Sequence, residues 1–451
     1  MRFKKWILLF SILTVISCSK EESVVDESLP EIIPSGNEQY LRFDSDYIFD
    51  DDQLHTFNLV IDPDLYAIIN SNPASEQYVE GMLIFEGDTI SPVGIRYKGS
   101  IGGFVGCVSG SDWNNPSGQK ICTKLSMKVK INWEGRTERF YGLKKLQFHS
   151  QNLDNSQMHE RLGYYLFRQM GVPAPRSVHA RLMINGEYSG LYALTEQIDG
   201  RFSRYHFDGG EGNVYKEVWP LTFRGTPNTT QAFLSALKTN EDDNPSVAII
   251  ENFANAIYNA DETEIKEVIR EYMDIDNIIA LAVVDRMIRN DDGPFHWYCG
   301  GGGCSNHNYY WYEEPKKGKI HLIPWDLDNA FENIIANANP VTPIKDGWGE
   351  TTNNCQPFNY GNFNFRQWSA SCDKLTAAWA SFQEEYDNLK KTFLEGPFRE
   401  ENVTMLLNKW ADQIRNATSE ASQVHNDAIT ISRWESAMRE LETQLTFARN
   451  Q

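Results

Sequence analysis

Asn290-Asp291-Asp292-Gly293, then Asn308-Tyr309-Tyr310-Trp311-Tyr312, then Ile323-Pro324-Trp325-Asp326-Leu327-Asp328: in this short span acids and amides alternate with aromatic and apolar runs. Residues 309–312 and 320–323 have the aromatic and β-branched character of strands. Asn308, Asp326 and Asp328 therefore fall at strand ends. A single Asp or Asn there is ordinarily a turn residue. Taken together, and bracketing two strands, they fit a site that holds a metal ion and phosphate oxygens.

Working outward, the chain changes period on either side of residue 231. Beyond it the pattern is helical, at 231–238, 247–259, 262–272 and 275–288, and after the acidic segment at 382–394, 400–416 and 431–449. Charged amphipathic patterns in those segments need no catalytic role. Before it, strands dominate. Residues 54–61 alternate, with Phe57, Leu59 and Ile61 on one face. Asp62-Pro63 stops that strand and starts a short helix at 64–70, and 82–85 and 93–98 read as further strands. A Gly/Ser-rich loop, 99–118, leads into 125–131. There Leu125, Met127, Val129 and Ile131 face one way, and Ser126, Lys128 and Lys130 the other. Those lysines read either as a solvated face or as a basic ceiling over phosphates.

Residues 143–148 form another strand. Asp154 or Ser156 caps the helix that follows, whose stripe is Met158, Leu162, Leu166 and Met170 and whose end is Gly171-Val172-Pro173. Glu160, in its first turn, is either a favourable charge at a helix N-terminus or the partner of a phosphate-binding lysine. Asn185-Gly186 marks a hairpin between 178–184 and 188–197, and 213–217 is a last strand. Strands first and helices later predict an α+β fold.

The net charge of -20 and pI near 4.9 argue against a nucleic-acid-binding surface. Arg2, Lys4 and Lys5 followed by an apolar stretch, 6–16, form an export leader too short to span a bilayer. Val15-Ile16-Ser17-Cys18 resembles a bacterial lipobox, with Cys18 lipidated. Residues 1–18 then form a lipoprotein signal peptide, and 19–45, acidic and with Pro30 and Pro34, a tether to the membrane. Ser19-Lys20-Glu21-Glu22 is similar to a surface-export signal, so the expected location is the outer membrane or cell surface. Beyond Cys18 remain Cys107, Cys122, Cys299, Cys304, Cys355 and Cys372. An even number in an exported chain points to disulfides. Neighbour pairing gives 107–122, 299–304 and 355–372, among about fifteen connectivities. The rival is a zinc site from Cys299, Cys304, His296 and His307.

An Asp, an Asn and an Asp at a strand end is the order in which protein kinases hold their proton acceptor and metals. Strands, Gly-rich loop, strand, helix and two strands is also the order of a kinase small lobe. The chain resembles the CotH kinase family. The resemblance is carried by Ile95-Arg96-Tyr97-Lys98-Gly99-Ser100, Phe140-Tyr141-Gly142-Leu143-Lys144-Lys145-Leu146, Gly171-Val172-Pro173-Ala174-Pro175-Arg176 and Asn185-Gly186-Glu187-Tyr188-Ser189-Gly190-Leu191-Tyr192. It continues through Glu196-Gln197-Ile198-Asp199, Asn213-Val214-Tyr215-Lys216, Asn308-Tyr309-Tyr310 and Pro324-Trp325-Asp326-Leu327-Asp328.

The resemblance implies a bilobal, atypical protein-kinase-like fold, with a β-rich N-lobe at 46–220 and a mostly helical C-lobe at 221–451. It implies transfer of the ATP γ-phosphate to Ser or Thr of exported proteins, with Mg2+ or Mn2+. Asp292, followed by Gly293 as in the family, aligns with the catalytic acid. Asp326 aligns with the metal-binding acid, Asp328 is a second candidate, and Asn308 aligns with a metal-holding amide. Lys98, Lys128, Lys130 or Lys145 would contact phosphates, with Glu160 positioning one of them. Glu196 would lie beside the nucleotide base. The chain departs from the family in two lengthened loops, one between Gly99 and Lys124 and one between Asp292 and Asn308. Two other readings stay open: a non-catalytic surface lipoprotein in adhesion or glycan attachment, and a metal-stabilised structural domain.

Overall fold

The computed structural model describes residues 38–450, apart from 100, 105, 113, 244, 333–347, 349–353 and 361–364. Cys18, the leader and most of the tether lie outside the described residues.

The alternating segments of the first half close on themselves. Strands β1 (His55–Ile61), β2 (Val79–Phe85), β3 (Asp88–Tyr97), β4 (Met127–Lys130), β5 (Lys145–His149), β6 (Ser177–Ile184) and β7 (Glu187–Thr195) form a barrel in the order β1-β2-β3-β4-β5-β7-β6. Neighbours are antiparallel except where β1 meets β6 in parallel, His55 opposite Ala180 and Leu59 opposite Ile184. Period-two alternation sends Phe57, Leu59, Leu83, Ile95, Met127, Val129, Leu146 and Phe148 inward to a single apolar cluster. The opposite face of β3 to β5 carries Arg96, Lys128, Lys130, Lys145 and His149, with Arg96 opposite Lys128 and Lys130 opposite Lys145. Asn185 and Gly186 turn β6 into β7 with φ of 52° and 83°, the left-handed pair that a two-residue hairpin turn requires.

Helices are inserted between the strands. Asp62 caps α1 (Pro63–Ser71) by accepting from the Asp64 and Leu65 amides. The Gly/Ser-rich loop contains one helical turn, α2 (Ile101–Phe104). Helix α3 (His159–Gln169) begins where Asp154 accepts the His159 amide and Ser156 the Met158 amide, so both expected residues serve its start.

The second half follows as α4 (Gly200–His206), β8 (Val214–Lys216), α5 (Thr230–Ala236), α6 (Ala248–Asn259), α7 (Ile265–Tyr272) and α8 (Ile275–Met287). Then come β9 (Trp297–Gly300), β10 (Gly303–Ser305), β11 (Tyr309–Glu314), β12 (Lys319–Pro324), β13 (Phe358–Tyr360) and β14 (Phe365–Trp368). The chain continues as α9 (Lys374–Ala380), α10 (Gln383–Glu395), α11 (Glu400–Val424) and α12 (Ile431–Arg449). Helix α8 is apolar on every side from Ile278 to Val284 and is buried from Ile278 to Met287, Asp285 and Arg286 included. Two small sheets stand among these helices, β12-β11-β8 and β10-β9-β14-β13. The fold is α+β.

Helix α11 runs eight residues past its expected end at 416, because Ala417, Thr418 and Ala421 are buried as it passes the barrel. Along it Tyr188 donates to the Ala417 carbonyl (3.1 Å), Arg181 pairs with Glu420 (2.8 Å) and Thr418 donates to Gln157 (3.0 Å). Disulfides join Cys107–Cys122, Cys299–Cys304 and Cys355–Cys372. This is the neighbour pairing, and it overturns the zinc alternative, since both thiols that a zinc ion needed are spent in one bond. Such bonds form and persist in oxidising, exported settings. Among the described residues no helix is long and apolar enough to cross a membrane.

Candidate functional site

The sheet β12-β11-β8 collects polar residues at one end because its strands alternate in direction. The end of β8, the start of β11 and the end of β12 lie side by side, with Lys216 opposite Tyr310 and Tyr309 opposite Pro324. Glu217 directly follows β8, Asn308 directly precedes β11, and Asp326 stands two residues past β12. All three adopt left-handed backbone, with φ of 54°, 61° and 57°. Asn and Asp tolerate that region better than most residues. The Glu217 carboxylate accepts the Asn308 amide (3.2 Å), and the Asn308 carbonyl accepts the Trp325 amide (3.1 Å).

Asp292 comes to the same place from the turn after α8. The Asn308 side-chain amide donates to its carboxylate (2.9 Å) and to its carbonyl (3.0 Å), and His307 lies 2.9 Å from the other carboxylate oxygen. Tyr298, at the start of the disulfide-closed hairpin β9–β10, also bonds this carboxylate, and its ring lies against His307. Burial alone would raise the Asp292 pKa, but the bonds from His307 and Tyr298 and the charges of His307 and His296 together outweigh it and hold the carboxyl below its usual value. The His307 pKa is raised: burial lowers it, and the bond and charge of Asp292, with the charges of Glu217 and Asp326, together more than restore it.

Helix α3 locks the segment after β12. The Asp326 amide donates to the Tyr164 hydroxyl (3.0 Å), and the His159 ring bonds the Asp328 carbonyl (2.7 Å). A Cβ on Gly163 would stand 2.8 Å from Leu327 Cδ1, so glycine permits this close approach. Asp326 is raised by burial and by the neighbouring Glu160, with His149 and Lys98 opposing. Asp328 is raised well above the carboxylate range by burial and by Asp326.

From the barrel side comes Lys98, just past β3. Its ammonium lies 5.4 Å over the Trp325 ring and 2.6 Å from His149 Nε2. His149 Nδ1 in turn lies 2.8 and 2.9 Å from the two oxygens of the buried Glu160. Burial lowers the Lys98 pKa to about 8 against the pull of Asp326 and Glu160. Lys128 falls to about 7, through burial and then the like charges of Lys145, Lys98 and Arg96. Lys130 lies 5.7 Å over the Trp133 ring.

The structure therefore brings together Asp292, Asn308, Asp326, Asp328, Lys98 and Glu160. Lys128 and Lys145 share the adjoining outer barrel face. Glu196 is engaged elsewhere: Arg176 grips it at 2.6 and 3.1 Å, with His206 at 3.7 Å. Among the described residues no three His, Cys, Asp or Glu side chains converge tightly enough to hold a metal by themselves. The set nevertheless suits a magnesium ion, which takes one or two carboxylates and fills the rest of its shell with phosphate and water oxygens. A cavity of about 600 Å³ lies apart from this cluster, between the Cys107–Cys122 loop and the end of α11.

Sequence reasoning missed His149, Glu217 and Tyr298, and it named His307 only for a zinc site and not as the partner of Asp292. Glu217 carried a usable signal, an acid at the end of the strand 213–217, like Asp326 at the end of its own. His149 carried none, being one polar residue in an ordinary alternating strand.

Residues 95–450 match the family described as CotH kinase protein. Over 319 residues the chain is 21% identical to the "Inner spore coat protein H-like protein" of Bacillus subtilis (strain 168), covering 70% of this chain and 82% of that protein.

Proposed function

Because the chain belongs to the CotH kinase protein family, we propose that it is an exported phosphotransferase that moves the ATP γ-phosphate to Ser or Thr hydroxyls of other exported proteins. One observation carries the reading. The acids at the end of β12-β11-β8 and the Lys98–His149–Glu160 chain of the barrel meet across the Trp325 ring. A basic group beside paired acids in a partly buried setting is what a metal–triphosphate ligand needs.

In this proposal the barrel is the small lobe, the helical half the large one, and the nucleotide lies between them. Asp326 and Asp328, raised by burial and by the acids around them, would be relieved by a cation. Asn308 adds a neutral oxygen ligand. A bound Mg2+ or Mn2+ would neutralise charge on the phosphate oxygens. Lys98 contacts the phosphates, and Lys128, Lys130 and Lys145 draw the anion to the barrel face. Asp292, ionised at neutral pH, accepts the proton of the acceptor hydroxyl as the phosphorus–oxygen bond to ADP breaks and the new ester bond forms. Glu196 is a structural ion-pair partner of Arg176 and not a nucleotide ligand. Cys18 anchors the mature protein to a membrane through lipid, and the acidic tether spaces the domain from it.

Thermal unfolding of residues 36–451 with Mg2+ or Mn2+, with and without ATP, tests the site. A rise in melting temperature that needs metal and ATP together, and that is lost in Asp326→Ala, is the expected result. The absence of any ATP effect would replace this reading with a binding protein that does not catalyse.

A further inference from the structure

His149 ends β5 with its ring between two charged groups. An ammonium has donors and no lone pair. Nε2, 2.6 Å from Lys98 Nζ, therefore accepts, and the ring proton sits on Nδ1, where it donates to the Glu160 carboxylate at 2.8 and 2.9 Å. The groups that face the ring are Lys98 beyond β3, Glu160 from α3 and Trp325 beyond β12, whose ring centroid is 5.6 Å away. Every hydrogen bond in this chain runs one way, from lysine through imidazole to carboxylate.

We propose that His149 is the positioning residue for Lys98: a neutral imidazole, held as the Nδ1–H tautomer by Glu160, that fixes the ammonium without neutralising it. The proposal deepens the reading above, since it takes Lys98 as the phosphate-contacting lysine. A direct lysine–carboxylate pair would spend part of the cation's field on the acid. A neutral acceptor holds one of the three N–H groups and leaves two, with the full charge, for phosphate oxygens. The indole face beneath the ammonium keeps it in place from a second side.

The test compares Mg2+–ATP binding by calorimetry in the wild type, His149→Gln, His149→Leu and Lys98→Met. Glutamine reproduces the polarity, its oxygen accepting from Lys98 and its amide donating to Glu160, and leucine does neither. Glutamine is expected to bind within about threefold of wild type. Leucine is expected to weaken binding on the order of tenfold, the scale of one charge-assisted hydrogen bond, and to match Lys98→Met. Leucine binding like wild type, or glutamine as weak as leucine at an unchanged unliganded melting temperature, would overturn the proposal. Imidazole ¹⁵N shifts of the unliganded wild type, assigned with His149→Gln, need no variant to bind. A protonated Nδ1 and bare Nε2 support it, and a proton on Nε2 at neutral pH sinks it. Wild type that shows this tautomer but binds no nucleotide would instead remove the kinase reading on which the proposal rests.

Discussion

Asp292 and Asp326 sit near the same sheet end, and their surroundings drive them apart: His307 and Tyr298 hold one ionised, while burial and Glu160 press the other toward its neutral form. Opposed environments of this kind separate an acid that takes protons from one that waits for a cation. Asp326→Ala is expected to abolish the metal-dependent ATP stabilisation, worth about 2.7 kcal/mol at a hundredfold excess of ligand over Kd. Asp292→Ala should keep that stabilisation and lose phosphate transfer, measured with radiolabelled ATP. Both variants binding and transferring normally would mean that the assignments are wrong.

Glu196 provides a separate check at this scale. Burial raises its carboxyl, but His206 and Arg176 bring it from 4.5 down to about 2. A depressed carboxylate gives stability that is present above pH 4.5 and lost as pH falls through about 2. Glu196→Gln should cost on the order of 3 kcal/mol at neutral pH and flatten the acid limb of a urea-unfolding series. Asp292, Asp326 and Asp328 were legible in sequence because each lies in a turn or just past a strand. The choice among lysines was not, because alternation puts Lys128, Lys130 and Lys145 on one face and only the fold sets Lys98 against His149.

The hairpin β9–β10 shows what one element does for the site. Its strands are three or four residues long and do not alternate, so nothing in the sequence marked them as strands. The pairing of β9 with β14 is made at long range. Cys299 and Cys304 face each other across the hairpin, and Tyr298, one residue earlier, bonds Asp292. Replacing both cysteines by serine should cost about 2 kcal/mol of stability on chain-entropy grounds, read from urea unfolding. Transfer should fall more than nucleotide affinity does, since Tyr298 serves Asp292 and not Lys98. An equal loss of both would place the hairpin's role in folding alone. The helices, by contrast, were mostly readable from their apolar stripes. The length of α11 was not, because its last two turns are held by the barrel and not by their own pattern.

Across the whole molecule the C-terminal helices brace the site from behind. Trp434 of α12 is fully buried and its indole N–H donates to the Ser156 carbonyl (3.0 Å), at the start of α3, which carries Glu160 and Tyr164. Trp434→Ala is expected to cost about 3–5 kcal/mol, and to weaken the ATP response of the protein that remains folded, though it touches no candidate ligand. An unchanged ATP response per folded molecule would show that α3 keeps its place without this brace. The α+β class followed from the order of periodicities along the chain. Closure of the barrel did not, since the pairing of His55–Leu59 with Ala180–Ile184 joins segments far apart in sequence and leaves no local trace. That closure has a consequence for how the chain meets other polypeptides. A sheet bent back onto itself has no edge strand, so neither a neighbouring copy nor another polypeptide finds there the template that strand addition uses.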